Sequence, residues 1–314
     1  MSQTGTHGLS AADAPIFIID GFLPDDLAAA MRRDIEGHFA KPEAHGRDTH
    51  QVWNYWFVPE LYTYLRTAPE KVIERAHVAA FHQTLCGWST NNLGMGEVTW
   101  PFLSLYVSGC RQGWHNDSRN GRFGFVYSLT RAERRTIGGE TLILHEDDPF
   151  RSHLTEATAG RRLYDKIEPR FNRLLVFDDR LPHAVERVEG SMDPVDGRFV
   201  LHGHLSEGTA VVVGALSATD IAAPLNDCLS RFRDEISAAA ALYHGPLTFR
   251  LIIGATGAVA GCEILLDRVI HPDPGHTEWE AIRARLIVRL RALQFIASSG
   301  QTTLIQPVLF GSAA

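Results

Sequence analysis

Cysteine is scarce in this chain: Cys86, Cys110, Cys228 and Cys262 are far apart in 314 residues and form no C-x-x-C pair. That spacing excludes a disulfide scaffold and a thiolate metal knuckle, and it fits reduced thiols. Basic charge is not in excess either, with 30 Lys and Arg against 37 Asp and Glu and a formal net charge of -7. Nucleic acid is therefore not an expected partner. No apolar run approaches the ~18 residues needed to cross a bilayer. The opening "MSQTGTHGLSAADAP" lacks a basic segment followed by an apolar one. The expectation is an unexported, cytoplasmic protein with no membrane partner.

What is present is enough for a core, since 45% of residues are hydrophobic. The length exceeds one ordinary domain, so a large domain with a smaller companion is expected. After a flexible tail over 1–14, "PIFIIDGFLP" reads as a strand and turn, followed by a helix from about Pro24 to Phe39. Apolar residues at three- and four-residue steps predict a second helical region over Pro59 to Cys86. From Val98 to about Leu205 the texture changes to short β-type runs: "FLSLYVS", "RFGFVYSL", "ETLIL", "RLLVFD" and "RFVLHGHL". Such runs behind helices predict an antiparallel sandwich or barrel with helical buttresses. The stretch Glu146 to Phe171 reads as a surface loop over the site. Past Ser206 come a helix from about Asp220 to Leu242, a hairpin, a helix from Glu278 to about Gln294 and a last strand. Trp279, Ile282, Leu286, Leu290 and Leu293 form one stripe of that later helix, which predicts a small α+β unit over 208–314.

The residues that carry chemistry lie in the β-rich part. In "GWHNDSRNGRFGF", His115 and Asp117 are two apart, which puts both on one side of an extended segment. His183 follows the strand-like "RLLVFD" and a proline turn that can present a side chain inward. Two imidazoles and a carboxylate are the donor set of the facial triad of non-haem iron oxygenases, which leaves coordination positions open. In "GRFVLHGHL", Arg198, Val200, His202 and His204 share one face and Phe199, Leu201 and Leu205 the other, as in a strand lining a pocket. A guanidinium at Arg198 suits a carboxylate through two parallel hydrogen bonds.

Taken in order, these motifs resemble the 2-oxoglutarate/Fe(II)-dependent dioxygenases, and within them the prolyl 4-hydroxylase-like branch. The resemblance covers roughly residues 15–207 and rests on Tyr106, the His115/Asp117 pair, "RFGFVYSL", "GGETLIL", Phe177 ahead of His183, and Arg198. It implies a double-stranded β-helix (jelly-roll) core with N-terminal cover helices, so that the whole chain is α+β with a small C-terminal domain. It implies that His115, Asp117 and His183 hold Fe(II) and that Arg198 grips 2-oxoglutarate. Tyr106, Ser128 and Thr141 fall where the family lines the cosubstrate pocket. O2 would be the oxidant and ascorbate a supporting reductant. Two positions depart from the family pattern: Ser128 replaces a hydroxyl-bearing aromatic of several relatives, and His204 stands where Trp is usual. Retention of Asp117 favours hydroxylation over halogenation.

The implied reaction is hydroxylation of an unactivated C–H bond of a peptidyl side chain, with release of succinate and CO2. The same chemistry on a free amino acid or biosynthetic intermediate fits the same residues. A zinc hydrolase and a non-catalytic metal-binding scaffold are the competing classes. The C-terminal segment is similar to the C-terminal domains of TonB-like energy-transducing proteins, which implies a partner-binding or dimerisation unit.

Overall fold

The computed structural model describes residues 16–40, 52–117, 120–144, 164–236, 242–270 and 278–311. The expected tail, and the expected site loop up to residue 163, lie outside them. The chain forms two compact units, one of Met1–Leu85 with Val98–Ser206 and one of Cys86–Glu97 with Glu207–Ala314.

The first unit is a jelly-roll built on a curled antiparallel sheet. Its path runs Ile16–Asp20, Arg173–Asp178, Phe123–Ser128, Arg198–Ser206, Phe102–Tyr106, Tyr62–Thr67, Arg111–His115, His183–Val185, Thr141–Leu144 and Tyr164–Ile167. The strands alternate as a two-sided sheet requires. In Arg198–Ser206, Phe199, Leu201 and Leu205 are almost fully buried beneath the helices, while Arg198, Val200 and His202 face the concave side.

A helix over Asp25–Phe39 begins after Pro24, with Asp25 and Asp26 in its first turn, where negative charge suits the helix dipole. It buries Ala28, Met31 and Ile35 at helical spacing. Arg32 reaches through to the sheet, donating from Nη1 to the Leu129 carbonyl at 2.9 Å and lying 5.3 Å from the Phe199 ring. Each fully buried apolar side chain of this size contributes about 1.5–3 kcal/mol.

The helix expected over Pro59 to Cys86 is not formed as such. Asn54–Val58 and Tyr62–Thr67 make a β-hairpin, and the helix begins only at Arg75 and continues to Leu93. "YTYLRT" is aromatic and β-branched, a composition that favours a pleated surface. Glu60, with φ 64°, closes the turn in the left-handed region. The spacing of Leu61, Leu65 and Val72 suits a helix, but tertiary pairing overrides it.

The second unit has a four-stranded antiparallel sheet in the order Val211–Gly214, Thr302–Phe310, Gly245–Ile253, Val259–Asp267. The helix Ala218–Glu235 is capped by Ser217, which exchanges hydrogen bonds with Asp220. It contributes Ile221, Leu225 and Phe232 to one core with Trp279, Ile282, Leu286 and Leu290 of the helix Glu278–Arg291. Residues 86–97, expected in the oxygenase domain, belong to this unit. Gly94, at φ +66°, lies so near Thr248 that a Cβ would stand 2.0 Å from its methyl group. Arg250 donates to the Asn91 carbonyl.

Asn172 ties the first unit's N-terminal turn to its sheet. Its Oδ1 accepts from the Leu23 amide and the Tyr127 hydroxyl, its Nδ2 donates to the Leu23 carbonyl, and its φ is 58°. Asn172→Ala should destabilise the protein by ~2–4 kcal/mol in urea titration, because buried partners lose their hydrogen bonds and the backbone loses a residue tolerant of φ > 0. Asn172→Gly should recover about 1 kcal/mol of that loss. Equal stability of Asn172→Ala and the unmodified chain would remove this role.

Candidate active site

His115 ends one strand and His183 starts the next in the path, and antiparallel register sets them directly opposite each other. Their rings are 4.2 Å apart. The turn before His183 is held by Asp178, whose carboxylate accepts from the Arg180 amide at 2.9 Å and from its guanidinium. Asp117 is placed by backbone and side chain together. Its amide donates to the Asp179 carbonyl at 3.0 Å, and the Asn120 amide group donates to its Oδ1 at 3.1 Å. Oδ2 is then left facing the imidazoles, 3.4 Å from His183 Nε2 and 3.8 Å from His115 Nε2.

Both rings have their tautomer set in the same way. Nδ1 of His115 donates to the Gly113 carbonyl at 2.8 Å, and Nδ1 of His183 donates to the Leu181 carbonyl at 3.0 Å. A carbonyl can only accept, so each Nδ1 carries the proton and each Nε2 presents a lone pair inward. One donor atom from each of His115, Asp117 and His183 falls within a 4.8 Å cluster. Burial pushes Asp117 upward, but with the imidazoles doubly protonated the hydrogen bond from His183 and the charges of His183, His115 and His204 outweigh it and hold the carboxyl at about 2. Burial, then His183, lowers His115. This set can hold a divalent metal through two nitrogens and one oxygen.

A cavity of about 280 Å³ opens on the cluster, and Arg198, Tyr106 and Thr141 line it as well. Arg198 is 1% exposed; its Nη2 donates to Thr141 Oγ1 at 3.1 Å and its guanidinium also bonds to the Tyr106 hydroxyl, while its buried Nε has no partner among the described residues. The Tyr106 ring lies 4.8 Å from the guanidinium. A buried cation without an anion is costly, and a carboxylate from a ligand would offset that cost. Gly139, at φ +78°, gives Arg198 room, since a Cβ there would come within 3.1 Å of its Cδ. Arg173 pairs with Asp20 and Arg187 with Glu189, so neither offers this cavity a free fork.

Ser128 does not line the cavity, contrary to expectation. Its hydroxyl donates to the Pro169 carbonyl at 2.9 Å and accepts from the Thr130 amide at 3.2 Å, so its role is to fasten the strand end. Several cavity residues carried no signal in the sequence. Gln112 accepts from the Tyr106 hydroxyl at 3.1 Å and has its Nε2 3.1 Å from His115 Nε2, which links the two halves of the cavity. Tyr62, Tyr64 and Arg66 line the wall formed by the unexpected hairpin. His204 pairs with the buried Asp179 at 2.9 Å, and these two with Asp117 make a second close group.

Residues 101–205 match the family model described as the 2OG-Fe(II) oxygenase superfamily. No curated protein sequence matches the chain significantly. Among solved structures, a prolyl hydroxylase from Trichoplax adhaerens, in complex with a hypoxia inducible factor oxygen degradation domain peptide fragment, is 16% identical. It covers 61% of this chain and 83% of its own, with a TM-score of 0.44. A prolyl-4-hydroxylase from Pseudomonas putida is 17% identical, covers 63% of this chain and 95% of its own, and has a TM-score of 0.43. AviO1 from Streptomyces viridochromogenes is 14% identical, covers 61% and 90%, and has a TM-score of 0.41.

The cluster predicts one divalent metal per chain. His115→Ala, Asp117→Ala and His183→Ala should each weaken Fe(II) binding by more than the ~10–100-fold typical of losing a ligand's hydrogen-bond partner. Thermal midpoints should stay close to that of the unmodified protein. Iron content unchanged in all three variants would dismiss the cluster as the metal site.

Proposed function

We propose that residues 101–205, which match the 2OG-Fe(II) oxygenase superfamily model, form an oxygenase domain in which His115, Asp117 and His183 hold the iron while Arg198 receives 2-oxoglutarate. The chain is a 2-oxoglutarate-dependent dioxygenase that uses Fe(II), 2-oxoglutarate and O2. The single observation that carries the assignment is the placement of Arg198. Its buried guanidinium, whose Nε has no partner among the described residues, shares a cavity with an inward-facing His, Asp, His set, which suits a dicarboxylate ligand beside a metal. A zinc hydrolase would have no use for such a fork.

When bound, the iron supplies the oxidising chemistry that breaks an unactivated C–H bond. The protein binds and orients. Arg198 and Thr141 receive the distal carboxylate, and the fixed Nδ1 protons keep both Nε2 lone pairs directed at one point. Tyr106 and Gln112 bridge the cosubstrate end to His115. The products are the hydroxylated substrate, succinate and CO2, with ascorbate as a supporting reductant.

The substrate in this reading is a peptidyl side chain of the prolyl-hydroxylase-like kind. Asn54–Val58 supports it: this strand pairs only with Tyr62–Thr67 among the described residues, all five of its residues are exposed, and Trp56 lines the cavity. A free strand edge beside a cavity suits an extended peptide that adds as a further strand. The same chemistry on a free amino acid remains the second reading, for which the cationic wall described below speaks. Among the described residues no helix is long and apolar enough to cross a membrane, and a cytoplasmic location is part of the proposal. The second unit is assigned to partner binding or self-association. A single-chain mass in sedimentation equilibrium at every concentration would remove the self-association half.

Arg198→Ala should weaken 2-oxoglutarate by ~2–5 kcal/mol in calorimetry, the range for a buried charge pair that loses one member. Arg198→Lys should recover only part, because a point charge cannot form the fork. The Fe(II)-loaded chain should release succinate from 2-oxoglutarate. Unchanged 2-oxoglutarate affinity in Arg198→Ala would move the cosubstrate elsewhere.

A further inference from the structure

The strand Tyr62–Thr67 directs Tyr62, Tyr64 and Arg66 at the cavity, in a row leading away from the metal cluster. Tyr62 meets the His115 ring at 5.3 Å, and Tyr64 stacks on Tyr106 at 5.0 Å. Arg66 stands roughly 13 Å of extended chain beyond Tyr62. Its guanidinium lies over the Trp56 ring at 3.9 Å and the Phe102 ring at 4.1 Å. Flanking rings hold the guanidinium plane and leave its N–H edge as the part available for hydrogen bonding. The Tyr64 hydroxyl lies within its reach, and no described carboxylate forms an ion pair with it.

Among the described lining residues, none at this end of the cavity is acidic. His202 shares a 2.8 Å hydrogen bond with Ser104, and burial, followed by the Arg66 charge, lowers it to about 3. It is neutral near pH 7, which leaves Arg66 as the standing cation here. Asp117, set against the two imidazoles, is the sole carboxylate among the described lining residues, and the nearby Asp179 is matched by His204. A divalent metal beside Asp117 leaves one positive charge, and Arg198 and Arg66 raise that to three. A doubly charged cosubstrate removes two, so one positive charge remains, and it lies at Arg66.

Taking the cavity as the dioxygenase site proposed above, we infer that Arg66 receives a carboxylate of the primary substrate, held in the Trp56–Phe102 clamp while the reacting C–H lies at the metal cluster. The substrate class is thus a carboxylate-bearing molecule. The carboxylate comes from an acidic side chain of a peptide, from a chain terminus or from a free amino acid, and Arg66 is the residue that selects for it.

The full chain, loaded with Fe(II) and saturated with 2-oxoglutarate without oxygen so that Arg198 is occupied, is titrated calorimetrically with three probe sets. These are the free amino acids, their N-acetyl derivatives and their N-acetyl amides. Carboxylate members should bind about tenfold or more tightly than their amides, as a charge-assisted hydrogen bond provides. Arg66→Gln should erase that difference and leave 2-oxoglutarate affinity as it was, while Arg66→Lys should keep part of it. Tight binding of the free acids alone identifies an amino acid. Binding of the N-acetyl acids identifies a chain terminus, and binding among the amides of Asp and Glu only identifies an acidic side chain. Amides that bind as well as acids throughout, or the absence of any probe weakened by both Arg66→Gln and Arg66→Lys, would overturn the assignment. Failure of 2-oxoglutarate to bind the unmodified chain would strike the dioxygenase reading instead and is read separately in the first titration.

Discussion

The register that sets His183 directly across from His115 is the constraint on which the site depends. Side chains alternate in a strand, so a slip of one residue would turn one imidazole out of the cavity, to the face on which Trp114 is exposed, and leave the other inside. The His183 strand is held between two neighbours, with His183 opposite both His115 and Ile143. The Asp178 turn fixes where it begins. On the Arg198 strand, Phe199, Leu201 and Leu205 bury the outer face, and the same alternation turns Arg198 and His202 inward.

Electrostatics divides the cavity into two ends. At one end Asp117 is held ionised at about 2, although burial alone would raise it, when the imidazoles around it are doubly protonated. At the other end Arg198 is enclosed without an anion, and burial lowers its affinity for a proton. Interior packing alone would not select either feature, since a buried unpaired guanidinium costs stability that an apolar side chain of similar size would not. A ligand carboxylate, as proposed, would supply the compensating anion. Tyr106 and Gln112 carry the geometry between the ends through one continuous set of hydrogen bonds.

Much of this site was legible in the sequence because strand periodicity is short and regular. Two-residue spacing placed His115 with Asp117 and sorted the Arg198 strand into its faces. Ser128 was placed in the pocket by the family resemblance, and nothing in the sequence showed that its hydroxyl bonds to the Pro169 carbonyl, forty-one positions away. The larger loss came from 59–86, where leucines at helical spacing hid a β-hairpin. On a helix Trp56 and Arg66 would have no shared neighbour, whereas in the hairpin both meet at one point of the cavity wall. Asp179 was obscured for a different reason. Adjacent aspartates look alike in sequence, yet one braces a turn through Arg180 and the other is buried against His204.

The two cavity arginines are proposed for different tasks because their surroundings differ. Arg198 is buried to 1% exposure and meets two hydroxyls and one aromatic ring, so it binds little else that water could not bind better. An anion that reaches it gains a desolvated partner, and ligand binding then returns stability to the fold, by about 2.7 kcal/mol at a hundredfold excess over its dissociation constant. Arg66 is only half-buried, and two rings cover its faces. Its charge remains partly solvated, which lowers both the cost of leaving it unpaired and the gain on pairing. A deeply held cosubstrate and a more readily exchanged substrate follow from that difference in burial.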